Sequence, residues 1–309
     1  MKKSIKILLE KYQVRKTKKQ KQAFIGWLKT HLSGMGYTLK EDKYSKSGNN
    51  LIVGDVETAE IIITAHYDTQ PNAFFPLVMA FSNWGSFIFS QIVILLPLSL
   101  IYLCCFAVVS AFAGAAVASV VCMWLLFAYC IQILCGVANR HTSNDNTSGV
   151  ATLIAILEDV PEEERKKICL VFFDQEELGL IGARKFHKKY KRIVENKPLI
   201  NFDCVADGDT LTFVVKKKFK NSKYFELLTA ANNEAMKDTS KKSRFADALW
   251  NIYSSDQLCF RYGVGVVAAK KAPLAGYYID RIHSKWDTRF DNENILLLSD
   301  TVIRMIRSI

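Results

Sequence analysis

Charge is absent from one long interior stretch of this chain. Between Asp68 and Arg140, 71 consecutive residues include no Asp, Glu, Lys, Arg or His. The 41 Lys and Arg and the 30 Asp and Glu of the 309-residue sequence all lie outside it. There they make up about 30 % of positions, the density of an ordinary soluble surface. Two compositions in one chain exclude a disordered segment, a collagen-like fibre and a domain that is soluble throughout.

Other absences narrow the reading further. Eight cysteines contain no CxxC pair, so neither a zinc knuckle nor a disulfide framework is indicated. Cys104, Cys105, Cys122, Cys130 and Cys135 fall in the apolar block, and Cys169, Cys204 and Cys259 are scattered. No HExxH helix is present, which removes the single-zinc thermolysin-like arrangement. The apolar run at the N-terminus is interrupted by Lys6 and ends at Glu10, too short for a signal peptide, and reads as an amphipathic helix. There is no internal repeat and no low-complexity linker.

The uncharged block is long enough to cross a bilayer about twice, at roughly 20 apolar residues per pass. Spans are expected within 86–108 and 115–137, inside an insert covering 73–139. The small residues Ser110–Ala116 lie between them, and Pro97 is expected to kink the first span or end it early. The alternative is a buried helical hairpin in a soluble core, but soluble cores rarely withhold charge for so long. The net charge of +11 gathers in Arg15–Lys21, Lys185–Arg192, Lys216–Lys220 and Lys241–Arg244. These read as solvated faces first and contacts with anionic lipid second. Nucleic acid has no motif behind it. Reduced thiols and the Lys/Arg excess favour a cell-membrane protein with its polar part on the cytoplasmic side.

Outside the block, apolar strands alternate with helices. Strands are expected at 50–53, 60–65, 168–173, 199–202, 211–215 and 264–268. Helices are expected at 20–37, 147–159, 178–190, 224–236 and from about 294 to the end. This is an α/β pattern: a mostly parallel mixed sheet sandwiched by helices, formed by 1–72 and 140–309 and interrupted by a transmembrane helical hairpin. In such sheets ligands collect beyond the carboxyl ends of the strands.

Metal-ligand residue types gather at those ends. His66 and Asp68 follow one strand, Glu176 and Glu177 follow another, and Asp203 follows a third. Asp145 stands just ahead of a helix, and His283 and Asp287 lie in Ile282-His-Ser-Lys-Trp-Asp-Thr288. One such cluster would be an ordinary surface feature. Five, most of them after an expected strand or opening a helix, point to a metal site.

With these motifs in order, the sequence resembles the M28 family of co-catalytic di-zinc aminopeptidases. Its pattern of H-x-D, D-N-x-S-G, E-E-x-G, a later Asp and H-x-x-x-D-T is met by His66-Tyr-Asp68, Asp145-Asn-Thr-Ser-Gly149, Glu176-Glu-Leu-Gly179, Asp203 and His283 to Thr288. Ser255-Asp256 is similar to the family's S-D-H step, with Gln257 in place of His. The departure is the 79 positions separating His66 from Asp145. The resemblance implies two Zn²⁺ per chain, with Asp145 bridging, His66 and Asp203 completing one site, and Glu177 and His283 the other. Asp68 would orient His66, and Glu176 would be the general base. Asp256 would line the substrate pocket or support His283. His31, His141 and His187 fall outside every motif, and Trp286 reads as a packing residue.

Both His66 and Asp145 must reach one cluster, so the block between them crosses the membrane an even number of times, leaving the site close to the bilayer surface. The expected activity is a membrane-anchored zinc aminopeptidase taking peptides, apolar or membrane-derived ones among them. A single-zinc transferase similar to glutaminyl cyclases and a non-catalytic membrane receptor or scaffold are the alternatives. The oligomeric state is not legible.

Overall fold

The computed structural model describes every residue except Phe74 and Pro76. Among the described residues, ten strands form one mixed sheet: β1 (Leu39–Lys43), β2 (Asn49–Val53), β3 (Ile61–His66), β4 (Leu77–Ala80), β5 (Ile168–Phe173), β6 (Leu199–Phe202), β7 (Thr210–Val215), β8 (Lys242–Asp247), β9 (Gly263–Ala272) and β10 (Gly276–Ile282). Their order is β1-β2-β5-β3-β6-β9-β10-β4, with β7 on β9 and β8 beyond it. The central strands β5, β3, β6 and β9 run parallel, with His66 opposite Phe173 and Ile62 opposite Leu199. Carboxyl ends therefore line up at one rim of the sheet. The flanking pairs β1–β2, β2–β5, β9–β10 and β10–β4 are antiparallel.

The helices are α1 (Lys3–Lys11), α2 (Lys18–Ser33), α3 (Trp84–Ala113), α4 (Ala115–Cys135), α5 (Thr147–Asp159), α6 (Ile181–Lys189), α7 (Lys191–Val194), α8 (Lys217–Lys220), α9 (Lys223–Ala235) and α10 (Asn292–Arg307). Alternation along β3 explains the layering. Ile61, Ile63 and Ala65 face one core with α1, α2, α5, α9 and α10, while Ile62 faces a second core with Phe173, Ala183 and Phe186. A strand buried on both faces needs an unbroken apolar run, which is what the sequence has there.

Four strands, β1, β4, β8 and β10, lie outside the sequence expectation, and all are edges or next to edges. β1 and β8 carry Lys, Glu, Arg and Asp along their length, as edge strands do to discourage further pairing. β4 pairs antiparallel with β10 inside the region assigned to the insert, so the helical insert is narrower than 73–139.

The insert itself is a helical hairpin. Asn83 and Ser86 cap α3 reciprocally, which starts the helix two residues before the expected span. Gly114, at φ +83°, makes the break between α3 and α4, a conformation that favours glycine. Pro97 removes one N–H donor but lies inside α3 without ending it. Ile88, Leu96, Ile101, Trp124 and Leu126 point outward. Among the described residues of the two helices, only Ser86, Ser90, Ala118 and Cys122 are buried. Both helices are long and apolar enough to cross a membrane, and their apolar side chains are not spent on a protein core.

Arg15 corrects another expectation. Its sequence neighbours place it in a solvated basic run, yet it is fully buried. Nε donates to the Tyr67 carbonyl at 2.5 Å, and Nη1 donates to the carbonyls of Tyr12 at 2.6 Å and Gln13 at 2.9 Å. Burial lowers its pKa to about 9, against the attraction of Asp68 and Asp145. The guanidinium thus braces the turn that carries the H-x-D motif from below. Arg15→Ala is expected to cost about 2–4 kcal/mol, because the buried Tyr67 carbonyl and the half-buried Tyr12 carbonyl lose their donor. Chemical denaturation of the detergent-solubilised protein checks this, with Lys19→Ala as the exposed comparison.

Candidate metal centre

The strand ends bring the expected residues together. His66 is the last residue of β3, Glu176 and Glu177 follow β5, and Asp203 follows β6. Asp145 precedes α5, and His283 follows β10 in the left-handed region at φ +58°. The Asp145–Asn146 peptide bond is cis.

Asp145 lies between two imidazoles. Its Oδ1 is 3.5 Å from His66 Nε2, and its Oδ2 is 3.0 Å from His283 Nε2. On the first side, Asp203 Oδ1 stands 3.6 Å from His66 Nε2. On the second, Glu177 Oε2 stands 3.3 Å from His283 Nε2. Ligand-type atoms of His66, Asp145 and Asp203 form one compact group, and those of Asp145, Glu177 and His283 form another. Asp145 is common to both.

The surroundings hold these side chains in place. Asp68 accepts from the backbone N–H of Glu176 at 3.0 Å and of Glu177 at 3.3 Å, while its Oδ1 lies 3.6 Å from His66 Nδ1. It therefore orients both the histidine and the Glu176-Glu177 turn. Asp287, for which the motif gave no role, does the same for the other loop, accepting from Asn144 N–H at 2.8 Å and Asp145 N–H at 3.0 Å. Asn146 Oδ1 caps α5 at the Gly149 N–H, and its Nδ2 donates to the Phe202 carbonyl. A Cβ on Gly149 would come within 2.4 Å of that same carbonyl, so α5 can sit this close to β6 only with glycine there. Two residues carry no sequence signal. With its amide turned to satisfy both neighbours, Gln70 donates to Glu177 Oε1 (2.7 Å) and accepts from His283 N–H (3.2 Å), and Tyr253 donates its hydroxyl to the Asp203 carbonyl at 3.0 Å.

Asp256 stands apart from this group. The cavity beside the cluster, about 370 Å³, is walled by Tyr253 and Ser254 rather than by Asp256. Asp256 is fully buried with neither carboxylate oxygen hydrogen-bonded, and burial pushes its pKa up to about 8. It acts on Glu176 through space. Burial raises Glu176 well above the usual carboxylate range, His66 opposes that, and Asp256 and Asp203 add to it. The remaining histidines are elsewhere: His31 pairs with Glu158 at 2.9 Å, His187 meets the Phe260 ring, and His141 is exposed. Trp286 is half exposed beneath Lys285 rather than packed in a core.

The donor set fits a divalent cation. Asp203 Oδ1 is buried without a hydrogen-bond partner although it faces His66, a cost that a cation would remove. Imidazole and carboxylate together suit zinc. Burial works to lower the pKa of His66, but the charge of Glu176 and the bonds from Asp145, Asp203 and Asp68 prevail and hold it well above its ordinary value. Burial likewise works to raise Asp145, and His283 and His66 overcome it to hold it well below the carboxylate range. Two consequences have opposite signs. A proton on His66 competes with a cation, so zinc affinity is expected to climb as pH rises above about 6.5. Over that range the ion-free protein is expected to lose stability, since the folded state binds the proton more tightly than the unfolded one. Zinc titrations and unfolding of chelated protein at several pH values check both.

Known proteins share the family profile and the fold. A profile described as peptidase family M28 matches residues 136–306. No curated protein matches the chain in sequence. Among solved structures, a glutaminyl cyclase from Porphyromonas gingivalis has a TM-score of 0.57 at 15 % identity, over 98 % of this chain and 95 % of that one. A Zn-dependent exopeptidase from Parabacteroides distasonis has a TM-score of 0.56 at 14 % identity, over 98 % and 94 %. The LapA aminopeptidase of Legionella pneumophila has a TM-score of 0.55 at 12 % identity, over 98 % and 67 %.

The fold defines the class: an α/β protein of metallopeptidase type, with the candidate cluster at the rim where its parallel strands end and a helical hairpin inserted between β4 and α5. The chain belongs to peptidase family M28.

Proposed function

We propose that this protein is a membrane-anchored aminopeptidase using two zinc ions per chain. Asp145 carries the reading, because it offers one carboxylate oxygen to each of two separate histidine–carboxylate groups. His66 and Asp203 would hold one ion, and Glu177 and His283 the other. Bound there, zinc would supply Lewis acidity and make a water more acidic. The protein groups supply the rest. Glu176, beside the cluster and in the cavity wall, takes the proton of the attacking water and returns it to the leaving amine. Asp68 keeps that glutamate in position through its backbone N–H. The names of the Parabacteroides exopeptidase and the Legionella aminopeptidase lend support. The outward-facing apolar hairpin supports anchoring, and the reduced thiols and Lys/Arg excess support a cytoplasmic face.

The test is purification in detergent with zinc, followed by mass spectrometry of an unblocked peptide, its N-acetylated twin and a peptide beginning with Gln. Stepwise shortening of the unblocked peptide alone supports the reading. Internal cuts in both peptides would make it an endopeptidase. Loss of ammonia from the Gln peptide without shortening would favour a cyclase, which the Porphyromonas similarity keeps in view. No conversion of any peptide with zinc bound would leave a receptor or scaffold.

A further inference from the structure

The cavity beside the cluster has two unlike walls. Asp145, Glu176, Glu177, Asp203 and His283 form one. The other is apolar and is supplied by β4 (Leu77, Met79), the end of β10 (Ile279, Ile282) and helix α3 (Gln91, Ile94). The hairpin is thus part of the cavity as well as a tether.

Helix lengths place that wall relative to a bilayer. At 1.5 Å per residue α4 spans about 31 Å, one hydrocarbon thickness, while α3 spans about 45 Å. The two pack together antiparallel across Gly114. Ile94 lies 20 residues before Gly114 and Leu134 lies 20 after it, so Ile94 is level with the last turn of α4. The preceding turns of α3 project past α4 onto β4. The cavity therefore meets α3 at the depth where hydrocarbon gives way to headgroups. Gln91, the only carboxamide in α3, stands one turn nearer the sheet and can pair with a peptide backbone crossing that boundary.

Resting on the membrane-anchored peptidase reading, we propose that the substrate is a peptide whose free N-terminus is followed directly by an apolar segment lodged in the bilayer. The residues just beyond the scissile bond lie against Gln91 and Ile94 of α3 and Leu77 and Met79 of β4. A substrate embedded in the membrane satisfies both walls: its terminus is polar and meets the ligand cluster, and its continuation is apolar and never leaves the helix side.

The experiment uses the full chain with zinc in phosphatidylcholine vesicles and three peptides sharing their first three residues. One continues directly into a Leu/Ala span of roughly 20 residues. A second has a Gly/Ser spacer of roughly 12 residues before the same span, so that it is equally concentrated in the membrane but polar beyond the bond. The third is soluble. The direct span is expected to be processed fastest, and Ile94→Ser to reduce its advantage over the spacer peptide by about 10–100-fold. Leu125→Ser, on the outward face of α4, is expected to leave that ratio unchanged. In the Glu176→Gln variant, a photoactivatable third residue on the direct-span peptide is expected to label α3 near Gln91 and Ile94. Equal rates for spacer and direct span, or labelling away from α3 and β4, would overturn the proposal and leave the aminopeptidase reading intact. Labelling at α3 with no peptide shortened would overturn the aminopeptidase reading and keep the binding site. Neither labelling nor shortening would overturn both.

Discussion

Glu176→Gln is expected to lower kcat for an unblocked peptide by about 10²–10⁴-fold, the range that a positioned general base supplies. Zinc content is expected to stay at the parent value, because Glu176 is not among the proposed ligands. The side chain is nearly isosteric, so the loss would come from proton transfer and not from packing. The burial that raises its pKa, with Asp256 and Asp203 adding to it, gives the carboxylate its appetite for a proton; a cation in the cluster would temper this. Metal analysis alongside single-turnover kinetics separates the possibilities. A variant that lost its zinc would make Glu176 a ligand, and one that kept full activity would remove it from the mechanism.

Asp145→Ala is expected to abolish activity and to remove zinc from both positions. A ligand belonging to one group would leave the other loaded, giving one ion per chain. Asp145 belongs to both, and it is also what separates the two imidazoles, with Nε2 of His66 and Nε2 of His283 on opposite oxygens. Without it, two imidazoles and the two remaining carboxylates, Asp203 and Glu177, lose their common partner. His283→Ala supplies the contrast, with an expected content nearer one zinc per chain. If Asp145→Ala still held one zinc tightly, the two groups would be independent sites without a bridge.

Much of the fold was legible because its central strands are buried on both faces and announce themselves as apolar runs. Ile168–Phe173 and Leu199–Phe202 have the same bounds in sequence and structure. The candidate cluster was legible for a related reason: those runs end abruptly in His, Asp and Glu, and helix-opening and turn motifs fall at the same rim. What stayed hidden depends on neighbours and not on local pattern. Lys242–Asp247 looks like surface charge until β7 supplies its partner. Arg15 looks like one cation among several until Tyr67 and Tyr12 turn their carbonyls to it. Gln70 and Tyr253 touch ligands from positions with no regular spacing to them. Leu77–Ala80 was obscured by the uncharged block around it, although it carries the hairpin into the sheet.

The placement of β3 bears on how the protein comes into being. His66 leaves the ribosome 79 residues ahead of Asp145, and both partners of its strand, β5 and β6, are synthesised only after the hairpin. Until those partners arrive, β3 has no neighbour to pair with and the metal cluster has one of its five proposed ligands. In a membrane-anchored peptidase, a nascent chain would thus deliver its apolar hairpin to the bilayer before it could hydrolyse anything. Digestive capacity would switch on at the address where it is needed, sparing the cytosol a free protease during biogenesis.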